Sequence, residues 1–385
     1  MKPFRAVVAS LGAFATLGIL AACAGPDAAT QQAEAPLSVT DIKGRTVTLD
    51  KMPGRIILGE GRGVFATSIL NKDQPVDKVV AMGEDLKTAA PSYFDALVKA
   101  RPEVQSVPTI GSLSKGDVSV ENLLSYQPDL MVLSADNYDA LQAIGMPEKM
   151  DQAGIKYVVT DFRQHPLTNT TASMDILGTV FGKQEQATKF NTEWTQTVDS
   201  VKERAGKIEK KPSVFLWRAA GLKDCCSTVK DSNLGEFVNV AGGDNIGDHI
   251  LSTESGDVTA EKLIAEQPDM IIATGGSWAK DPKKPAAIPH ANLGYATDEA
   301  TAKDTLNGLT KTPGFEQVTA ANEGRLYGVW HQYYDSPLNF LAVEQFAKWQ
   351  HPEEFADVDV DKHLQSVHEE YLPFAASGTF FSEQR

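Results

Sequence analysis

The side chains here that could carry chemistry are a glycine-rich turn, a pair of adjacent cysteines, scattered histidines, and arginines and aromatic rings at the ends of apolar runs. Gly59, Gly61 and Gly63 follow an apolar run and open a helical stretch, as a dinucleotide-binding turn does. That fingerprint needs its third glycine one place later, where Val64 stands, so a Rossmann-type oxidoreductase is only the alternative from another class. There is no P-loop, no Ser within Gly-x-Ser-x-Gly, and none of the seven histidines falls at a zinc-binding spacing. Cys225 and Cys226 are neighbours, with Cα atoms about 3.8 Å apart by chain geometry, below the usual disulfide range. A bridge between them would kink their loop; free buried thiols are a second state, and a thiolate metal site would need more ligands than the loop offers. The residue types point to binding, with no enzyme, no cofactor and no directly held metal expected.

Such residues need elements to place them. Val39 to Leu49 alternates around Asp41-Ile42-Lys43-Gly44 and predicts a hairpin. Short apolar runs at 55–58, 79–82, 130–133 and 157–159 predict strands, separated by helical faces such as Phe94, Leu97 and Val98. Alternating strands and helices predict a parallel α/β sheet. From residue 170 to about 206 the period is helical throughout, broken near Gly182, and the piece from Gln184 to Ala205 would be about 30 Å long. Strands at 214–217, 270–273 and 326–330 then resume the α/β pattern, with helices over 234–240, 338–349 and 361–371. The expected fold is α/β: two Rossmann-like lobes with parallel-rich sheets, residues 37–167 and 210–385, joined through a helical connector at 168–209, with the ligand cleft between them.

The N-terminus predicts export. Lys2 and Arg5 precede an apolar run from Ala6 to Leu20, too short at about 15 residues to span a bilayer, and Leu20-Ala21-Ala22-Cys23 follows. Residues 1–22 read as a signal peptide, and residues 23–36, which hold no large apolar side chain after Cys23, as a flexible tether. The formal net charge is −15, or −17 once Lys2 and Arg5 leave, which argues against nucleic acid or an anionic lipid surface as partner.

The strongest internal signal is a repeat. VSVENLLSYQPDLMVL begins at residue 118 and VTAEKLIAEQPDMIIA at residue 258, sharing Val118/Val258, Glu121/Glu261, Leu123/Leu263 and Gln-Pro-Asp at 127–129 and 267–269 without a gap. Each copy is the helix and following strand of its own lobe; proline disfavours helix in the residue before it, so Gln127 and Gln267 should end their helices.

With Val39 to Leu49, Pro53-Gly-Arg-Ile-Ile57, both Gln-Pro-Asp copies, Ser336 to Ala342 and Ala347 to Glu353, the chain from Leu37 to Leu372 resembles the substrate-binding proteins of ABC importers for ferric siderophores, haem or cobalamin. The resemblance implies a lipoprotein acylated at Cys23, held to a membrane by that anchor in the periplasm or at the cell surface and acting as a monomer. It also implies docking of Glu121 and Glu261 on arginines of the permease membrane subunits. It further implies a cleft for a bulky, often anionic ferric siderophore, for which arginine and flat rings are suited. Strand ends supply the expected contacts: Arg62, Trp217, Arg218, Trp278, Trp330, His331, Tyr333 and Tyr334, with Tyr93 and Arg163. Haem, with Tyr93, His331 or Tyr333 as axial ligand, and cobalamin are the alternatives; Arg62 and Arg218 at equivalent places favour the siderophore.

Overall fold

A computed structural model describes residues 36–222, 225–278 and 290–385. The signal, Cys23 and most of the tether lie outside them. The hairpin forms from β1 (Leu37–Thr40) and β2 (Thr46–Leu49), antiparallel. The first lobe then builds a wholly parallel sheet from β3 (Ile56–Leu58), β4 (Val79–Gly83), β5 (Thr109–Ile110), β6 (Leu130–Ser134) and β7 (Tyr157–Thr160), in the order β5-β4-β3-β6-β7. Successive strands spread first to one side of β3 and then to the other. The switch point therefore lies between the ends of β3 and β6, the place where open α/β sheets hold ligands.

The second lobe repeats the plan. Its strands are β8 (Ser213–Trp217), β9 (Ser227–Val229), β10 (Asp244–Asn245), β11 (Ser255–Asp257), β12 (Met270–Gly275), β13 (Leu326–Trp330) and β14 (Phe381–Glu383). The main sheet runs β10-β8-β12-β13-β14, parallel except for the antiparallel β14, and β9 pairs with β11 in a small separate ladder. Its switch point lies between the ends of β8 and β12.

Two helices, Pro166–Phe181 and Gln184–Ala205, connect the sheets, with Gly182 in the left-handed region at the break. One apolar core runs from Ile56 and Leu58 of the first sheet, through Phe190 and Trp194 of the longer helix, to Trp330 and Phe346 of the second lobe. The lobes thus share buried surface with the connector, which suits a stiff junction. Among the described residues no helix is long and apolar enough to cross a membrane.

The repeat has a structural reason. In both copies a Ser or Thr caps the helix: Ser119 accepts from Asn122 N–H and Thr259 from Lys262 N–H. Both glutamines before the prolines turn left-handed, with φ of 48° at Gln127 and 45° at Gln267. The next Asp then reaches back to the chain that starts the neighbouring strand: Asp129 accepts from Gly54 and Arg55 N–H, and Asp269 from Ser213 N–H and hydroxyl. Helix ending, turn and strand register are set by the same three residues twice.

Two histidines of the second lobe, His351 at the C-cap of the Phe340–Gln350 helix and His363 in the Val360–Tyr371 helix, take part in packing. His351 is buried with Nε2 at 3.1 Å from the Gly242 carbonyl. His363 lies between Glu344 (2.6 Å) and Glu193 (3.2 Å) and ties the long connector helix to the second lobe. Burial alone would lower its pKa, but the two carboxylates raise it to about 9. A raised histidine stabilises fully below its unfolded pKa and loses that contribution as pH climbs through the folded value. We expect His363→Gln to cost about 1–2 kcal/mol at pH 6, after allowance for partial contact with water, and almost nothing near pH 10. Urea unfolding of both proteins across that range checks it; a pH-independent difference would contradict the paired histidine.

Candidate functional site

Both switch points face one junction, and three guanidinium groups meet there. Arg62 follows β3, where Gly61 fits against the end of β4 so closely that a Cβ would stand 2.3 Å from the Gly83 carbonyl. Arg163 follows β7 and Arg218 follows β8. Their guanidinium carbons lie 5.5, 5.2 and 6.0 Å from the centre of the Tyr334 ring, which comes from the turn after β13. Arginines from both lobes therefore converge on one phenol, whose hydroxyl accepts from Arg62 Nη1.

Carboxylates already hold two of these arginines. Arg62 Nε donates to Asp85 (2.7 Å), and its Nη1 lies 3.0 Å from Asp335. Arg163 pairs with Asp136, with Glu60 at 3.0 Å and with Asp335 at 2.5 Å. Asp335 belongs to the second lobe and both arginines to the first, so it bridges the junction. Asn233 adds side-chain hydrogen bonds to the carbonyls of Arg163 (2.9 Å) and Tyr334 (3.3 Å). Arg218 differs, having no ion pair among the described residues. Arg163 Nε is buried and has no acceptor among the described residues.

These contacts set the charge states. Burial pushes the Glu60 carboxyl up to about 7, with Asp335 and Asp85 adding to the rise and Arg163 and Arg62 opposing it. His331 is buried beside Tyr334, with ring centres 4.5 Å apart and Nδ1 2.7 Å from the Thr274 hydroxyl. Burial, then Arg218, Arg62 and Arg163, hold it far below the usual histidine range, so it is neutral. Trp278, at the end of β12, packs edge-on to His331 at 5.1 Å and donates from Nε1 to the Ala89 carbonyl of the first lobe. The cavity between Glu60, Arg62, Asp136, Arg163 and Asp335 has a volume of about 30 Å³, room for little more than a water.

Of the expected contacts, Arg62, Arg163, Arg218, Trp278, His331 and Tyr334 come together. Four do not. Trp217 is 1% exposed and packs on Phe315 within the second lobe, because the last side chain of β8 points into the sheet's own core. Tyr93, Trp330 and Tyr333 are also buried. Tyr93 and Trp330 flank Phe65 and Tyr295 in an aromatic core shared by the lobes, and Tyr333 stacks on Phe381 of β14. The junction keeps Trp278, His331 and Tyr334 beside the arginines and adds carboxylate partners, while Tyr93 and Trp330 join the lobes and Trp217 and Tyr333 pack within the second. Glu60, Asp85, Asp136 and Asp335 escaped the sequence reading, although Asp136 and Asp335 follow strand ends just as the arginines do. Among the described residues no group of three His, Cys, Asp or Glu side chains could hold a metal ion.

Glu121 and Glu261 sit at matched places, each exposed on the first turn of a short helix, Val120–Ser125 and Ala260–Glu266. A hydrogen bond from the backbone, then the capping Ser119 or Thr259, holds each carboxyl below its ordinary pKa, so both are anionic. Cys225 and Cys226 are joined in a disulfide within the loop from Arg218 to β9. Cys226 exchanges backbone hydrogen bonds with Val258, three residues before Glu261.

Solved structures share this architecture. FepB, a TroA-like periplasmic binding protein from Veillonella parvula, aligns over 91% of this chain and all of its own, with 27% identity and a TM-score of 0.81. CeuE of Helicobacter pylori in its Ni-His complex aligns over 88% of this chain and 96% of its own, at 19% identity and a TM-score of 0.63. The heme-binding protein RhuT of Roseiflexus aligns over 78% and 98%, at 16% identity and a TM-score of 0.54. No curated protein sequence matches. The family model for periplasmic binding proteins matches residues 72–333, most of both lobes, and the chain belongs to that family.

Proposed function

We propose that this protein is the lipid-anchored solute-binding component of an ABC importer and that its solute is an iron chelate of the siderophore type. The observation that carries the reading is the convergence of Arg62, Arg163 and Arg218, from both lobes, on the Tyr334 ring. An iron chelate presents a compact shell of negatively polarised oxygens, and guanidinium groups grip such a shell through several donors at once. Tyr334 and Trp278 supply flat faces beside it. The protein does no chemistry on its cargo: it captures the chelate, docks through Glu121 and Glu261, and is held at the membrane by acylated Cys23.

A chelate needs several hundred Å³, so capture begins with loss of the contacts that fill the junction. Asp335 withdraws from Arg62 and Arg163, and the Asn233 bonds open. The arginines then exchange carboxylate partners for ligand oxygens without changing charge. Because the connector is helical and packed into the shared core, the lobes need part only slightly.

Tryptophan fluorescence of the mature protein titrated with ferric hydroxamates, ferric catecholates, hemin and cobalamin tests the proposal. We expect a ferric siderophore to bind with a Kd in the range of roughly 1 μM or tighter. Tight binding of hemin or cobalamin alone would replace this reading with a haem or cobalamin carrier.

A further inference from the structure

The charges at the junction narrow the chelate further. Among the described residues, Glu60, Asp85, Asp136 and Asp161 of the first lobe stay beside Arg62, Arg163 and Arg218 when Asp335 withdraws, four carboxyl groups against three cations. Asp161 is engaged by the N–H groups of Arg163, Gln164 and His165 and by the Asn169 side chain, and it stays where it is whatever enters. His331 is neutral and adds no positive charge. Glu60 is pushed up to about 7 by burial, while Arg163 and Arg62 lower it against the smaller raising effects of Asp335 and Asp85.

We infer that the site takes an iron chelate that is uncharged or bears a cationic group, the charge class of ferric trishydroxamates, rather than a trianionic tris-catecholate. The inference rests on the iron-chelate reading above and specifies its ligand. A trianionic complex would place like charges beside carboxylates fixed by backbone donors, and each close pair in a partly desolvated cleft weakens binding by on the order of a hundredfold. An uncharged complex avoids that repulsion while still offering polarised oxygens to Arg218 and to Arg163 Nε, which have no carboxylate partner and no acceptor, respectively, among the described residues. Asp136 keeps 35% of its side-chain surface exposed and can accept an ammonium group on the chelate's periphery.

The test is a charge series on one metal. The mature protein is titrated at pH 7.5 with a ferric trishydroxamate ending in a free amine, the same complex with that amine acetylated, and a ferric tris-catecholate. The expected order is amine tighter than acetylated by about tenfold, and both tighter than the catecholate by about a hundredfold or more. Asp136→Asn should erase the difference between amine and acetylated forms, with its fold checked by circular dichroism. Equal or tighter binding of the catecholate would overturn the charge class while leaving the iron-chelate reading intact. Binding of none of the three would overturn both.

Discussion

Replacing Glu121 and Glu261 together by alanine is expected to abolish transport and leave chelate affinity unchanged. Both carboxylates are exposed, one on each lobe, at the N-terminal turn of a capped helix, and neither contributes to the charge-paired junction. Their helices stand on the sequence repeat, so the Gln-Pro-Asp turns hold the two anions in equivalent settings. A membrane partner with paired guanidinium groups can then read both lobes at once. Bidentate Arg–carboxylate pairs have the directionality for that task, and losing both removes the anchor rather than weakening it. Each single substitution should reduce uptake less than the double one, since either lobe retains a contact. Uptake of labelled chelate by cells carrying the variants, with affinity measured on the purified proteins, separates docking from binding. Lost affinity would move these residues into the ligand site; normal uptake by the double variant would remove them from the docking surface.

The second large effect concerns stability. Arg62 is 8% exposed and serves Glu60, Asp85, Asp335 and the Tyr334 hydroxyl. Arg62→Met keeps much of its volume but leaves several carboxylates short of a cation inside the junction. Uncompensated buried charge of this kind costs about 3–5 kcal/mol. The pH dependence follows from Glu60. Its folded pKa is raised, so its ionised form destabilises the folded state at and above pH 7, and that penalty fades as pH falls toward the ordinary carboxylate range. Without Arg62 the Glu60 pKa climbs further, and the deficit should be greatest near pH 8 and smaller near pH 5. Urea unfolding at both values decides it. A deficit below about 1 kcal/mol, or one that does not shrink on acidification, would contradict the charge-paired junction.

Much of the fold was legible in the sequence because its elements are local. Runs such as Ile56 to Leu58 and Leu130 to Leu133 are bounded by turn residues, and the connector from Gln184 to Ala205 keeps one helical period throughout. The repeat marked corresponding pieces of two lobes. What escaped depends on contacts far along the chain. Tyr93, Trp330 and Tyr333 looked like cleft rings because they are aromatic and two of them follow a strand, but the lobes use them to build a shared core. The Arg163–Asp335 and His363–Glu193 pairs join residues that no local pattern connects. The antiparallel closing strand β14, only three residues long, carried too little apolar pattern to be seen.

The central claim is that the inter-lobe arginines bind the cargo, and Arg218 tests it most directly because no carboxylate among the described residues competes for it. Removing Arg218 should cost ligand binding and little folding stability. Titration of the wild-type protein and Arg218→Ala with a ferric trishydroxamate should show affinity falling roughly 10- to 100-fold, as expected for loss of a charged hydrogen bond, with the unfolding midpoint nearly unchanged. An unaltered Kd in a folded Arg218→Ala protein would contradict the account.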